Sequence, residues 1–236
     1  TPTAYATHLH QYISRGMEAF LSALDITGSP HQQRVITIAT TPAMGALLMP
    51  GLASALKPTF PQILLHNIAI VDAARQLDQR QVDLLIDTHL HSGQAISHHV
   101  LYQDRVQMYC RAGHPALDGP QDETTLAEYE FALLLPEGQR YPTLHRRLQE
   151  EMGERRCGFS TFNLMTQAAM IAGSDMLGLT TERLFAMVSR LWPLQTLDFP
   201  SLGEEQIDVA LHFNKLSGKE PLLKEIIETV IRSFKA

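Results

Sequence analysis

RVITIATTPAMGALLMPGL, the stretch from Arg34 to Leu52, decides the fold because it predicts a buried strand that runs directly into a helix. Thr41 is a good N-cap, since its hydroxyl can accept a hydrogen bond from an otherwise unpaired helix amide. Pro42 suits the first helical position, where no amide hydrogen is needed. The helix then carries apolar residues at the spacing of one packed face: Met44, Leu47, Leu48, Leu52 and Ala55.

A strand that ends at a capped helix leaves backbone amides at the carboxyl edge of a sheet. Open α/β folds bind ligands at that edge, and free N–H groups together with the helix dipole favour an anion there. The stretch is therefore typical either of one wall of a ligand site or of an ordinary strand–helix unit without a ligand.

A second stretch, Arg156 to Asn163, RCGFSTFN, repeats this arrangement with a strand, the hydroxyl pair Ser160 and Thr161, and a helix start. The helix is predicted from Thr161 to Ala172. Strands and helices alternate along most of the chain, which predicts parallel sheets with right-handed crossovers. If the two halves of the chain face each other, both helix starts look into one cleft, a place that ligands prefer.

The first 33 residues are predicted to form a separate arm. Apolar residues between Thr3 and Asp25 fall on one stripe at spacings of three or four, which indicates an amphipathic helix. Ile26 to Gln33, ITGSPHQQ, is typical of a hinge. Such a helix cannot bury its stripe alone, so its partner is expected to be a second copy of itself or the rest of a longer protein.

The composition of the 236 residues limits the class of protein. The length suits one large domain or two small ones. The net charge is −6 without a basic stripe, which argues against gripping nucleic acid through phosphates. No apolar run approaches the ~18 residues of a membrane span, and Thr1 to Leu24 lacks the apolar core of a signal peptide. Cys110 and Cys157 follow no metal-ligand spacing, which predicts buried, reduced thiols.

Two histidine pairs, His89 with His91 and His98 with His99, suggest a metal site at first sight. No cluster of Cys or Glu completes a set of four ligands, so we interpret them as loop histidines and predict no metal site. A pH-sensing role stays open, because histidine titrates near neutral pH.

Catalytic motifs are also missing from the sequence. There is no Gly-X-Ser-X-Gly, no Gly-X-Gly-X-X-Gly and no P-loop. The acidic pairs Glu150-Glu151 and Glu204-Glu205 lie in charged stretches that are typical of a solvated surface. The sequence therefore predicts a protein that is not an enzyme and that needs no cofactor.

The order of these parts resembles a LysR-type transcriptional regulator without its DNA-binding head. Thr1-Pro2 and the helix after it resemble the linker helix of that family. Leu101 to Leu117, LYQDRVQMYCRAGHPAL, resembles the crossing into the second lobe, and Phe159 to Glu182, FSTFNLMTQAAMIAGSDMLGLTTE, resembles the strand, helix, turn and strand that follow. The resemblance covers nearly the whole chain, and the overall sequence is similar to an uncharacterised enterobacterial member.

This resemblance implies an α/β fold of two Rossmann-like lobes around a cleft, similar to type 2 periplasmic binding proteins and preceded by a long linker helix. The implied parts are the linker helix, the hinge, lobe I and lobe II, at residues 1–25, 26–33, 34–113 with 206–236, and 114–205. Two segments would cross between the lobes, near Tyr109 to His114 and near Pro200 to Glu205. The family further implies a cytoplasmic homodimer or homotetramer that contacts DNA only through an N-terminal winged helix-turn-helix, and no contact with a membrane.

The effector contacts of the family fall on strand ends and helix starts. Carried onto this chain, they are Thr40, Thr41, Asp87, Thr88, Ser160, Thr161, Phe162 and Asn163, with Pro136 at another strand end. The sequence VDLLIDTH departs from the family, because Asp87 and His89 stand at the mouth of the cleft. A carboxylate there would repel an anionic effector unless His89 or a cation offsets it.

The function implied is effector sensing and oligomerisation in a bacterial LysR-type regulator. A small molecule between the lobes would reposition the DNA-binding heads. The alternative is a periplasmic-type solute-binding receptor, which has the same lobes and cleft.

Overall fold

The computed structural model describes residues 13, 34–135, 149–150, 153, 155–199, 202 and 206–234. The predicted linker helix, apart from Ile13, and the predicted hinge lie outside the described residues, as does Pro136.

The described residues form nine strands and six helices. The strands are β1 (Arg34–Thr40), β2 (Ile63–Ala69), β3 (Leu84–Asp87), β4 (Ile96–Arg111), β5 (Phe131–Leu134), β6 (Cys157–Thr161), β7 (Gly178–Thr181), β8 (Leu194–Leu197) and β9 (Gln206–Asn214). The helices are α1 (Pro42–Leu56), α2 (Ala73–Asp78), α3 (Glu123–Ala127), α4 (Leu164–Ala172), α5 (Glu182–Val188) and α6 (Pro221–Ser233).

The opening strand and helix are confirmed. In β1, the side chains of Ile36 and Ile38 are fully buried, and β1 lies between β2 and β3, parallel to both. Thr41 caps α1 by accepting a hydrogen bond from the Met44 amide at 3.4 Å, and Pro42 is the first helical residue. The local pattern therefore forms an inner strand of the first sheet, next to its end strand β2, with the start of α1 at the carboxyl edge.

Parallel pairing holds only for part of the described sheets. Seven strands lie in the order β2-β1-β3-β9-β4-β7, with β8 also paired to β4. The pairs that involve β9, β7 and β8 are antiparallel, so the prediction of parallel sheets is wrong for them. The strand β9 follows the second half of the chain and returns to the first sheet before α6. It is therefore antiparallel to both of its neighbours, β3 and β4. The remaining two strands, β5 and β6, are parallel to each other.

One strand links the two halves of the chain. The sequence predicts two separate strands here, His98 to Leu101 and Arg105 to Cys110, but the structure has one strand, β4, that is continuous for 16 residues. It pairs with β9 up to Arg105 and with β7 and β8 from Val106 onward, with a bulge between Val100 and Tyr102. The bulge breaks the alternation of side chains, which hides the continuity from sequence. The lobe boundaries stay a prediction, and this change of partner lies earlier in the chain than Tyr109 to His114.

Two large apolar clusters form the core. One surrounds α1 and joins it to α6 and to the start of α4, with Met44, Leu52, Leu164 and Val230 among its buried members. The other lies under the second half of β4 and contains Met108 and Phe131, among others. The strands form two groups, the first with β1, β2, β3 and β9 and the second with β5, β6, β7 and β8, while β4 runs through both. The helix α1 packs on α6, α4 and α5, and the carboxyl ends of strands from the two groups face each other across a gap.

Cys157 departs from expectation. It is exposed, whereas Cys110 is buried as predicted. Cys157 begins β6, which is paired with β5 alone among the described strands, so the exposed Cys157 lies at the start of an edge strand. No helix in the described part of the chain is both long and apolar enough to cross a membrane.

Candidate functional site

A cavity of about 470 Å³ lies between the carboxyl ends of the two groups of strands. One wall comes from the start of α1 and the ends of β2 and β3, and includes Thr41, Met44 and Thr88. The opposite wall comes from the end of β5, the loop before α4, and the junction of β7 with α5. The volume is within the range of small-molecule sites, roughly 300–1,000 Å³.

Thr41 is on the cavity wall, but the preceding residue, Thr40, is not. The Thr41 hydroxyl accepts from the Met44 amide, and its carbonyl accepts from Gly45 at 2.9 Å. Thr40 is buried, and its Oγ1 accepts from Asn67 Nδ2 at 3.0 Å, while the same nitrogen donates to the Ile38 carbonyl at 2.9 Å. Thr40 therefore fixes β1 to β2 rather than facing the cavity.

Asp87 also points away from the cavity, while Thr88 lines it. The buried Asp87 carboxylate accepts from the Thr88 amide at 2.8 Å and lies 3.0 Å from His91 Nε2. The hydrogen-bonding partner of this carboxylate is therefore His91 rather than His89, and Asp87 is not among the residues that line the cavity.

His91 in turn holds His212, a buried residue of β9. The His91 amide donates to His212 Nε2 at 3.1 Å, which leaves the ring proton of neutral His212 on Nδ1. Burial lowers the pKa of His212 to about 4, and the nearby His91 adds to this effect. Within the described residues, no three His, Cys, Asp or Glu side chains are grouped so that they could hold a metal ion.

The second helix start differs from prediction. Thr161 still belongs to β6, where it pairs with Leu134, and α4 begins only at Leu164. The N-cap is Asn163, whose Oδ1 accepts from the Met165 amide at 2.8 Å. Thr161 Oγ1 accepts from the Asn163 amide at 3.1 Å. Pairing with β5 keeps Thr161 in the strand, so the cap passes to the next residue that can accept these bonds.

Of this second set, Phe162 alone lines the cavity. Its side chain is 77% exposed. Ser160 is exposed, and Thr161 and Asn163 support the turn rather than the wall. The cavity thus brings together three residues expected from sequence, Thr41, Thr88 and Phe162.

Several wall residues were not expected from sequence. Gln167 is buried, accepts from the Tyr109 hydroxyl at 3.0 Å and donates to the Ala132 carbonyl at 2.6 Å, and burial raises the pKa of Tyr109. Thr180 and Thr181 end β7 just before α5. The sequence GLTTE repeats the Thr-Thr pair that ends β1, and this repetition was the signal that could have identified them.

Arg155 supplies a positive charge to the wall. Its guanidinium lies 5.6 Å from the centre of the Phe131 ring. Most other wall residues are aliphatic or aromatic, so the cavity combines two groups of threonines and this cation with a largely apolar surface.

Comparison with known proteins identifies the family. Residues 29–235 match the LysR substrate-binding domain. The HTH-type transcriptional regulator YbeF of Escherichia coli K12, itself uncharacterised, is 46% identical over 234 residues, which cover 99% of this chain and 74% of that protein.

Solved structures show the same fold. The probable transcriptional regulator PA0477 of Pseudomonas aeruginosa superposes with a TM-score of 0.79 at 17% identity, covering 98% of this chain and 78% of the other. The regulatory domain of the LysR-type regulator CrgA of Neisseria meningitidis gives 0.70 at 13% identity, covering 86% and 99%.

These findings confirm the resemblance and the two-lobed α/β fold that it implies, and none of them supports the alternative of a periplasmic-type receptor. The chain belongs to the family of LysR substrate-binding domains, the effector-binding part of LysR-type transcriptional regulators.

Proposed function

We propose that the effector of this regulator occupies the cavity between the two groups of strands and that its binding repositions the DNA-binding heads. The observation that supports the proposal is the cavity itself, since its walls come from both groups. A molecule that touches both walls has a different affinity for each arrangement of the two groups. Only such a difference in affinity shifts a conformational equilibrium.

The proposed contacts are a subset of those expected from sequence, with additions. Thr41, Thr88 and Phe162 contact the effector, together with Thr180 and Gln167. Thr40, Asp87 and Asn163 have a positioning role, since their side chains hold the strand ends and the α4 start through the hydrogen bonds described above.

The cellular location, the oligomeric state and the contact with DNA that we propose are those of the LysR-type regulators. The chain acts in the cytoplasm as a homodimer or homotetramer, without catalysis, and reaches DNA through a winged helix-turn-helix outside its 236 residues. In this proposal, residues 1–25 connect the cavity-bearing part of the chain to this head. When the distance between the two groups of strands changes, the contacts between dimers change with it. The distance between the DNA-binding heads then changes as well.

The experiment uses a chimera in which this chain replaces the matching part of the E. coli relative. Promoters bound by the chimera are identified by chromatin immunoprecipitation, and a reporter on one of them is followed across growth conditions. Ala43→Trp places a large side chain on the cavity wall at the start of α1, whereas Ala46→Trp adds the same side chain to an exposed position of the same helix.

We expect the reporter to respond to growth conditions in the parent and in A46W but to be locked in one state in A43W. The circular dichroism and DNA occupancy of both variants are measured as controls for folding. A reporter response in A43W that equals that of the parent would show that the cavity is not the sensing site.

A further inference from the structure

We propose that the effector is a predominantly apolar molecule, an aromatic compound of two or three rings or a medium-chain aliphatic compound, with at most one anionic head. This inference rests on the proposed function, because it concerns the ligand of the same cavity. Three observations support it: the apolar wall, the exposed apolar side chains at the mouth of the cavity, and the hydrogen bonds that already occupy most polar groups nearby.

The cavity wall is apolar on both sides. The side of α1 presents Met44, and the centre, where the chain crosses between the halves, presents Val106 and Ile207. The opposite side presents Leu133, Leu164 and Leu184. A ligand with a hydrophobic body gains free energy by removing this surface from water, while a ligand that is polar all round leaves its own groups without partners.

The apolar surface continues to the mouth of the cavity. Val71 is 86% exposed, Phe162 77% and Leu135 49%, and all three line the cavity. Val71 comes from the first group of strands, and the other two come from the second. Three large apolar side chains held in water around one opening indicate a surface that becomes buried when the site is filled.

These exposed side chains are on backbone that is fixed by hydrogen bonds. Gln76 accepts from the Val71 amide at 3.1 Å and donates to the Ala69 carbonyl at 3.1 Å, so it holds the Val71 loop at two points. The Leu135 amide donates to the Thr161 carbonyl at 2.7 Å. Phe162 lies between the Thr161 turn and the Asn163 cap. These three residues, Val71, Leu135 and Phe162, are called the rim of the cavity. Their backbone is held by hydrogen bonds, so the exposure of their side chains does not come from a loose loop.

Most polar side chains at the site are already partnered within the protein, and the exception on the described wall is the buried Thr180 hydroxyl, which leaves one position for a polar group of the ligand. The Thr41 hydroxyl is bonded to its own helix, the Gln167 amide to Tyr109 and Ala132, and the Asp87 carboxylate to Thr88 and His91. Arg155, beside Phe131, is the charge that faces the cavity from the described wall. Because the described lining residues include one charged residue and it already interacts within the protein, the wall accommodates at most one anionic head.

The size of the cavity sets the size of the ligand. Its volume of about 470 Å³ is about three times the ~150 Å³ of an engineered cavity that holds benzene. A two-ring aromatic or an aliphatic chain of comparable bulk fits this space, and a single small metabolite leaves much of it unfilled.

The test compares two probes with the same apolar body. N-phenyl-1-naphthylamine is neutral, and 8-anilino-1-naphthalenesulfonate carries one anionic head. Succinate and citrate serve as polar multi-anions. Binding to the 236-residue chain is measured by fluorescence for the probes and by calorimetry at several temperatures for all four compounds.

We expect at least one naphthalene probe to bind with a negative heat-capacity change, which marks burial of apolar surface. A43W abolishes this binding and A46W does not. The rim variant Val71→Ser with Phe162→Ser weakens the affinity by about tenfold or more. The matched control, Leu191→Ser with Leu216→Ser, changes two exposed leucines away from the cavity and leaves the affinity unchanged.

Other outcomes overturn the inference without deciding the proposed function. If succinate or citrate binds in a way that A43W abolishes and the probes do not, the cavity is the site but its ligand is polar. If a probe binds A43W as well as the parent, it binds elsewhere and the inference fails. If none of the four compounds binds, the inference fails, and the reporter comparison of A43W with A46W still decides whether the cavity is the sensing site.

Discussion

Thr180 lies directly opposite Gln107 across the antiparallel pair of β7 and β4, and each side chain has a buried oxygen without a hydrogen-bond partner among the described residues. Thr180 is only 8% exposed and is part of the cavity wall. A buried hydroxyl that makes no hydrogen bond costs about 1–3 kcal/mol. The wall of the candidate site therefore carries a stability cost that the rest of the fold offsets.

Replacing Thr180 with valine should raise the free energy of unfolding by about 1 kcal/mol, because the change keeps the shape of the side chain and removes the unsatisfied hydroxyl. Urea unfolding of the purified chain measures the change. Thr166→Val, at an exposed position of α4, is the matched control and should stay within about 0.5 kcal/mol of the parent. A clear loss of stability in T180V would show that this hydroxyl is hydrogen-bonded in solution.

The parts of the site that sequence predicts are those fixed by near neighbours in the chain. The Thr41 cap involves Met44, three residues away, and the pattern of β1 involves its own alternation, so both are visible in RVITIATTPAMGALLMPGL. The same stretch does not show that Thr40, unlike Thr41, lies off the cavity wall. Its hydroxyl is taken by Asn67, and only the parallel pairing of β1 with β2 brings these two residues together.

The second helix start illustrates the same limit. Thr161 and Asn163 are both good capping residues, and the sequence alone does not choose between them. Pairing of Thr161 with Leu134 decides the choice, and this contact joins residues 27 positions apart. The ligand class could not be predicted either, because the exposed rim of Val71, Leu135 and Phe162 is assembled from three separate loops.

Gly45 should be intolerant of a side chain, in contrast with Gly51 of the same helix. A Cβ at Gly45 would lie 2.7 Å from Asn67 Oδ1 and 2.8 Å from Thr40 Oγ1. The Asn67 side chain would have to move and lose its bonds to Ile38 and Thr40. We expect Gly45→Ala to lower the free energy of unfolding by about 1–3 kcal/mol, as measured by chemical denaturation.

Gly51→Ala is the control for helix propensity. No atom lies within 4 Å of a Cβ at this position, so the substitution should raise the free energy of unfolding by up to about 1 kcal/mol. If G45A proved as stable as G51A, the hydrogen bonds from Asn67 to Ile38 and Thr40 would not be contributing to the stability of the β1–β2 pair.

His212 should make stability depend on pH on the acidic side. Its pKa is lowered to about 4 in the folded chain, against an ordinary value of about 6.5. Between these two values the unfolded chain binds the proton and the folded chain does not. The free energy of unfolding therefore falls as the pH falls from about 6.5 to about 4, by at most about 3 kcal/mol, and His212 adds no further change outside this window.

The groups that face His212 are His91, from the loop after β3, Asp87 at the end of β3, and His98, opposite on β4. His212→Gln keeps a hydrogen-bonding side chain and removes the titrating group. The slope of stability against pH between 4 and 6.5 should be smaller in this variant than in the parent, as measured by urea unfolding at a series of pH values. Equal slopes would show that other groups carry the dependence.

The outer surface of the first sheet should support self-association. Val35 of β1 and Leu64 of β2 are direct neighbours in the sheet register and are 43% and 45% exposed. The strand β2 is at the end of the order of the described strands, so its outer edge is not paired with any of them. Val35→Lys with Leu64→Lys should lower the molar mass found by light scattering at a given concentration, since each lysine places a charge on this apolar surface.

Val100→Lys, at an exposed valine of β4, should leave the mass unchanged. A parent chain that stays strictly monomeric at high concentration would contradict both this prediction and the proposed oligomeric state.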